Sequence, residues 1–270
     1  MSFSISGKTA IVTGAANGIG LAIGRHFVDR GANVIFADMD EGRLQHELGE
    51  NDDERNFRYF AGDLREKLTL ANLLSATLDA FDQVDILVNA SRQIVLSDPL
   101  NPEDDGVDQM IQQNMMTSLR LSQLVAKRMI KQAEKNESGN GRGNAGAIVN
   151  LSSIAARRTV EGLMGYSIAT AALDQMTRSL AVALAPHAIR VNAVACGSVM
   201  SSSLQDVLKD NPDFRKEIEA HTPMGRIASA SEVAETVQYL CAPASGFVTG
   251  QIIPVDGGRT LIDPVHAPAH

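Results

Sequence analysis

Two features of the chain could do chemistry on their residue types and spacing alone. The first is Thr13-Gly14-Ala15-Ala16-Asn17-Gly18-Ile19-Gly20, three glycines spaced G-xxx-G-x-G directly after an apolar run. Glycines let a backbone turn tightly and approach a pyrophosphate, whose charge is met by the amides and dipole that open the next helix. Ordinary strand-to-helix punctuation uses the same residues. The second is Asp38, about 20 residues beyond the glycines, where a carboxylate accepts hydrogen bonds from both adenosine ribose hydroxyls and repels a 2′-phosphate. That favours NAD over NADP. Asp38 also reads as a turn residue in the acidic stretch Asp38-Met39-Asp40-Glu41.

Such a turn works only if a strand delivers it and a helix receives it. Short runs rich in β-branched residues alternate with helix-like stretches: Thr9–Thr13, Asn33–Ala37, Phe57–Ala61, Ile86–Asn89, Ala147–Leu151, Arg190–Val194 and Gln251–Val255. Runs that are apolar throughout fit strands buried on both faces, and intervening helices supply right-handed crossovers. The expected fold is a single α/β domain over residues 1–270, a doubly wound Rossmann-type seven-stranded parallel sheet flanked by helices. No internal repeat interrupts it. The polar, glycine-rich segment at 134–146 is expected to be a mobile loop at the end of a long helix, and the tail from Asp263 to His270 to be disordered or packed on a neighbour.

Composition narrows the function classes. The 270 residues, 44% apolar, suffice for one substantial core. A net charge of −8 without a basic run argues against nucleic acid as partner. Cys196 and Cys241 form neither a CxxC nor a ligand cluster, and the six histidines are scattered, so neither a disulfide framework nor a metal site is expected. The N-terminus lacks signal-peptide features and no apolar stretch is long enough to span a bilayer, so the expected location is cytoplasmic, with no membrane partner.

The G-xxx-G-x-G spacing resembles the short-chain dehydrogenase/reductase family rather than two-domain dehydrogenases. The resemblance extends along nearly the whole chain. Asp85-Ile86-Leu87-Val88-Asn89, Ile148-Val149-Asn150-Leu151-Ser152-Ser153 and Arg190-Val191-Asn192-Ala193-Val194 are similar to the family's fourth, fifth and sixth strands. Thr222-Pro223-Met224-Gly225-Arg226 and Thr249-Gly250-Gln251 through Val255-Asp256-Gly257-Gly258 match its C-terminal signatures. The resemblance implies cofactor contacts by Gly14, Asn17, Gly18, Ile19, Gly20 and Asp38, by Asp63-Leu64 at the adenine, and by Asn89, Thr170, Gly197 and Val199. Asn17 is neutral where NADP-using members often carry a basic residue, which again favours NAD.

Catalysis by resemblance falls to three residues in register. Tyr166, thirteen residues after Ser153, would exchange a proton with the substrate oxygen, Ser153 would orient that oxygen, and Asn114 would help to hold a proton-relay water. Taken singly, they read as a half-buried aromatic, a strand-end cap and a polar helix residue. The family's fourth member is a lysine four residues after the tyrosine, which holds the nicotinamide ribose and lowers the tyrosine pKa. Here that position is Thr170. Losing the charge would cost about 3–4 kcal/mol of activation, roughly a hundred- to a thousandfold in rate.

Other departures cluster nearby. Asn89-Ala90-Ser91-Arg92 stands where the family reads Asn-Asn-Ala-Gly, and Cys196-Gly197 where it reads Pro-Gly. Cys196 reads most simply as a small apolar filler. Arg92, Arg157 and Arg158 are each candidates to replace the missing ammonium, but a solvated arginine, or one meeting an anionic substrate, is the simpler reading. Arginine is also a poor copy of lysine, being planar and permanently charged.

Two functions follow as expectations. One is an NAD(H)-dependent oxidoreductase that interconverts a small-molecule secondary alcohol and a ketone. The other is an NAD-binding but catalytically impaired protein with a sensor, scaffold or regulatory role. The segment 200–222 is expected to form the substrate lid, with Met200, Leu204, Val207 and Leu208 lining a pocket or forming the buried stripe of a short helix. By resemblance, the assembly would be a homodimer or homotetramer.

Overall fold

The computed structural model describes residues 2–103, 105–136 and 145–263. The elements alternate from the start: β1 (Thr9–Thr13), α1 (Gly18–Asp29), β2 (Asn33–Asp38), α2 (Glu41–Leu48), β3 (Phe57–Ala61), α3 (Lys67–Phe81) and β4 (Ile86–Asn89). Then come α4 (Val107–Met110), a π-helical turn at Ile111–Met116, α5 (Thr117–Asn136), β5 (Gly146–Ser153), a 3-10 turn at Ile154–Ala156 and α6 (Met164–Leu184). The remainder comprises β6 (Ile189–Cys196), β7 (Val199–Met200), α7 (Ser202–Asp210), α8 (Asp213–Ala220), β8 (Ala228–Ser229), α9 (Ala230–Cys241) and β9 (Ile252–Val255).

Seven strands form one parallel sheet in the order β3-β2-β1-β4-β5-β6-β9, while β7 and β8 pair separately. The expected doubly wound α/β sheet is therefore present. All seven expected strands occur, but β2 runs on to Asp38, β5 to Ser153 and β6 to Cys196, and β9 begins at Ile252. The extensions matter because they bring Asp38, Ser153 and Cys196 to the carboxyl ends of their strands.

The central strands are buried along their whole length, as strands covered on both faces must be. On one face Ile19, Ile23 and Phe27 of α1 and Val233, Val237 and Leu240 of α9 pack against Val12, Val34 and Val88. On the other, Leu70 and Leu73 of α3 and Leu121, Val125 and Met129 of α5 cover Ile11, Ile35, Leu87 and Ile148. Gly24 lets α1 lie directly on the Phe36 ring, where a Cβ would collide. The chain departs from β1 towards β2 on one side and from β4 towards β5 on the other, so β1 and β4 flank the topological switch point. Ligands of open α/β sheets bind there, outside the carboxyl ends of the strands.

Of the segments with special expectations, α5 ends at Asn136 and β5 begins at Gly146, while 137–144 and the tail 264–270 lie outside the described residues. The segment 200–222 holds α7 and α8. Leu208 is buried, Leu204 and Met200 half-buried and Val207 exposed, the pattern of a short helix resting one face on the body of the protein. Among the described residues no helix is long and apolar enough to cross a membrane, and no cluster of His, Cys, Asp or Glu could hold a metal ion.

Candidate active site

The turn after β1 is locked before any ligand arrives. Gly14 has φ +64°, and a Cβ there would sit 2.7 Å from the Ser91 Cα and 2.8 Å from the Ala90 oxygen, so only glycine allows the turn to touch the β4 exit loop. Thr13 ties the same loop down from the other side, its Oγ1 accepting from the Ala90 and Ser91 amides at 3.0 and 3.1 Å. Asn17 precedes α1 without capping it through its side chain, so the first-turn amides keep their positive end towards the cleft. A Cβ at Gly18 would meet only the Ser201 Cβ, at 3.5 Å, leaving open space beside the turn.

A cleft of about 630 Å³ opens at this point. Gly14, Asn17, Gly18, Ile19, Gly20, Asp38, Asp63 and Leu64 all line it, so eight of the expected contacts are brought together. Asp38 Oδ2 accepts from the Ala16 amide at 3.0 Å and Oδ1 from the Asp40 amide at 3.2 Å. A carboxylate has about four acceptor sites, which leaves capacity for a ligand's hydroxyls. Asp63 is held in two-point contact by Arg65 at 2.5–3.0 Å, and that hydrogen bonding lowers its pKa. The cation in this part of the cleft is thereby already partnered.

Four expected contacts are not part of this lining. The Asn89 amide turns into the sheet, donating to Asn150 Oδ1 at 2.8 Å and Ser122 Oγ at 3.0 Å. The Thr170 hydroxyl is buried and donates to the carbonyls of Tyr166 and Ser167 at 2.9 and 3.1 Å, spending its one proton on its own helix. Gly197 donates its amide to the Val255 carbonyl, and Val199 is buried in β7. In each case a protein partner lay closer than the cleft.

The three expected catalytic residues, Tyr166, Ser153 and Asn114, are not part of the lining either: beyond Arg92, Tyr166 lies buried on α6 among Met110, Ala155 and Ala169. Ser153 closes β5 and accepts from the Ala155 amide at 3.1 Å. Asn114 lies in the π-helical turn, which packs on α6, and its side chain pairs with both backbone atoms of Gln93. It accepts from the Gln93 amide at 2.8 Å and donates to the Gln93 oxygen at 2.9 Å. The elements bearing the three residues therefore meet. Asn114 spends its side chain on the β4 exit loop, an arrangement with no signature in the sequence.

The largest difference from expectation is Arg92. Although exposed, it lines the cleft and sets its Nη1 3.5 Å from the Tyr166 Oη. Burial works against its charge, but the Tyr166 oxygen and the Cys196 sulfur beside it raise its pKa overall. The Cys196 thiol, fully buried, is pushed up to about 11 and stays protonated, in keeping with its role as filler. Arg158 instead donates to the Thr260 carbonyl, and Arg157 is exposed.

Comparison with known proteins identifies the family. Residues 14–260 match a family model described as enoyl-(acyl carrier protein) reductase. The cis-4-hydroxycyclohexanecarboxylate dehydrogenase of Sinomonas cyclohexanicum is 32% identical, over 94% of this chain and 97% of its own. The 7α-hydroxysteroid dehydrogenase of Escherichia coli is 30% identical, over 94% of each chain. A solved 7α-hydroxysteroid dehydrogenase, complexed with NADH and 7-oxo glycochenodeoxycholic acid, superposes with a TM-score of 0.84 at 29% identity over 95% of each chain. On sequence, fold and cleft together, the chain belongs to the short-chain dehydrogenase/reductase family of oxidoreductases.

Proposed function

We propose that the protein is an NAD(H)-dependent oxidoreductase interconverting a secondary alcohol and a ketone, with Tyr166 exchanging the proton. The observation that carries this is the continuity of the cleft, which runs from Asp38 past the glycine turn to Arg92, against Tyr166. Its lining fits a dinucleotide. The space beside Gly18 and the uncapped start of α1 suit a pyrophosphate. Asp38 has acceptor capacity for the adenosine ribose, and Asp63 and Leu64 border the place for adenine. NAD is favoured over NADP because Asp38 would repel a 2′-phosphate, while the Arg65 guanidinium beside it is neutralised by Asp63.

When bound beside Arg92 and the glycine turn, a nicotinamide cofactor would supply hydride exchange with the carbinol or carbonyl carbon. The protein's own part is to move the proton. In oxidation the deprotonated Tyr166 Oη takes the alcohol O–H proton as the C=O bond forms; in reduction the protonated Tyr166 gives its proton to the ketone oxygen and is left as the phenolate. Ser153, at the carboxyl end of β5, orients that oxygen. Helices α7 and α8 would close over the substrate as its lid.

The test is calorimetric titration with NAD and NADP, followed by a screen of secondary alcohols and ketones for a change in NADH absorbance. We expect NAD to bind the tighter by at least about tenfold, and turnover to fall at least about a hundredfold in Tyr166→Phe. Turnover unchanged in Tyr166→Phe would remove the assigned proton path. Tight NAD binding with no turnover, and turnover appearing in Thr170→Lys, would leave a catalytically impaired NAD-binding protein as the correct reading.

A further inference from the structure

We infer that the substrate is a 2-hydroxy acid interconverted with its 2-oxo acid, its carboxylate bound by Arg92 while the oxygen on the neighbouring carbon meets Tyr166. This names the substrate class of the proposed reaction and rests on the role given there to Tyr166. The charges along the cleft point to it. Of the four charged residues in the lining, Asp63 and Arg65 are paired with each other and Asp38 stands at the opposite end. Arg92 is the remaining cation, and among the described residues none of the ten ion pairs includes it. Its side chain is exposed, so an incoming anion meets it without displacing a protein carboxylate.

The wall around Arg92 hydrogen-bonds but carries no further charge. Gln113 donates to the Ser91 Oγ at 3.4 Å and Gln109 to the Gln93 Oε1 at 3.3 Å, which engages these side chains with one another. The titratable groups facing the guanidinium are the Tyr166 hydroxyl and the Cys196 thiol, and burial holds that thiol neutral. Ile94, exposed on the same wall, offers apolar surface to the rest of the substrate. A lone cation among neutral walls selects an anion by charge, and a guanidinium adds a planar fork that matches both oxygens of a carboxylate.

One distance places that anion relative to the reacting carbon. Arg92 Nη1 lies 3.5 Å from the Tyr166 Oη. Hydrogen bonds to the two atoms are each about 2.7–3.0 Å long, so two ligand oxygens held side by side on this pair fit neighbouring carbons. A 2-oxo acid presents its carbonyl oxygen and carboxylate in that way. Ser91 is tied by Thr13 and Gln93 by Asn114, so the backbone from which Arg92 extends is fixed before a ligand arrives. In oxidation the hydrogen on C2 leaves as hydride, with both bonding electrons, to the oxidised nicotinamide. The hydroxyl proton passes to the deprotonated Tyr166 and the C2–O bond becomes double, while the carboxylate stays unchanged on Arg92.

The test compares each acid with its methyl ester, which keeps the ketone and removes the charge. Pyruvate and phenylpyruvate carry the carboxylate next to the ketone, and levulinate carries it two methylenes further away. With NADH, we expect kcat/KM for a 2-oxo acid to exceed that for its ester at least about tenfold, chiefly through KM. The ratio should approach one in Arg92→Gln, be partly restored in Arg92→Lys and persist in Arg157→Ala. Levulinate should show no such advantage over its ester. Acids and esters reduced equally well by the unaltered protein would overturn the inference and leave the oxidoreductase reading in place. An equal advantage for levulinate, or a ratio lost in Arg157→Ala but kept in Arg92→Gln, would overturn it too. So would weaker NAD binding in Arg92→Gln with the ratio intact, which assigns Arg92 to the cofactor's phosphates. Calorimetric titration of phenylpyruvate into the NADH-loaded protein reads the site without turnover. Binding that depends on Arg92, with no reduction, keeps the carboxylate site and rejects the proton path; no binding rejects the carboxylate site.

Discussion

At one end of the cleft the walls are backbone: a turn with φ +64° at Gly14, helix amides and strand ends. At the other they are side chains, Arg92 with its Nη1 3.5 Å from Tyr166 and Gln93 with its backbone held by Asn114. The first end recognises a ligand by shape and by dipoles that any side chain would obstruct. The second depends on how individual side chains pack. A backbone wall tolerates almost no change at its glycines, whereas a side-chain wall can be rebuilt from a different residue in a different loop.

The largest effect expected from testing this contrast is at Gly14. Gly14→Ala places a Cβ 2.7–2.8 Å from the backbone of Ala90 and Ser91, in a left-handed conformation. Strain and overpacking together should cost roughly 2–4 kcal/mol of stability. NAD affinity should fall at least about tenfold as the turn and the β4 exit loop separate. Urea unfolding and calorimetric titration read the two quantities. A stable variant that binds normally would mean that the backbone wall is as replaceable as the side-chain wall.

The sequence made the two ends unequally visible for the same physical reason. A backbone constraint must be written as particular residue types at fixed spacing, and Gly14, Gly18, Gly20 and Asp38 are such a record; the alternation of apolar runs likewise implied all seven strands of the sheet. The direction of the Arg92 side chain has no such record. Its backbone lies on a loop after β4 whose neighbouring residues are tied down by Thr13 and Asn114, and its side chain lies along the cleft wall with Nη1 3.5 Å from the Tyr166 Oη. The π-helical turn that presents Asn114 to Gln93 also has no periodicity to betray it. Asn89 and Thr170 were legible as polar residues beside the site, but not as groups satisfied by Asn150 and by helix carbonyls.

A second, smaller effect is expected from the polar chain beneath the cleft floor. Asn150 accepts from Asn89 and donates to Thr177 Oγ1, both at 2.8 Å and fully buried, linking β4 and β5 to α6 and so to Tyr166. Asn150→Ala breaks both bonds, leaves a void and strips Asn89 of one partner, for about 2–3 kcal/mol in urea unfolding. Turnover should fall by a larger factor than NAD affinity, because the chain braces the side-chain end. Equal losses in both would show that the two ends are not separately supported.

The smallest effect concerns a buried charge at the same end, and its sign can be worked out. Burial raises the pKa of Asp174 above its ordinary 3.8, against the smaller opposing effects of the Ser152 hydrogen bond and of Arg178 and Arg157. A carboxyl with a raised folded pKa contributes stability in its neutral form that is full below 3.8 and is lost as pH rises through the folded value. At neutral pH the protein therefore carries a desolvated carboxylate that Asn would not. Asp174→Asn keeps an acceptor for the Ser152 hydroxyl, so it should be neutral to stabilising at pH 7, by no more than about 1 kcal/mol. That advantage should shrink on acidification towards 3.8, as Asp174 takes up its proton and the two proteins become alike. Thermal unfolding of both proteins across this range gives the comparison, and an advantage that grows on acidification would show that the charge of Asp174 is held by partners strong enough to outweigh its burial.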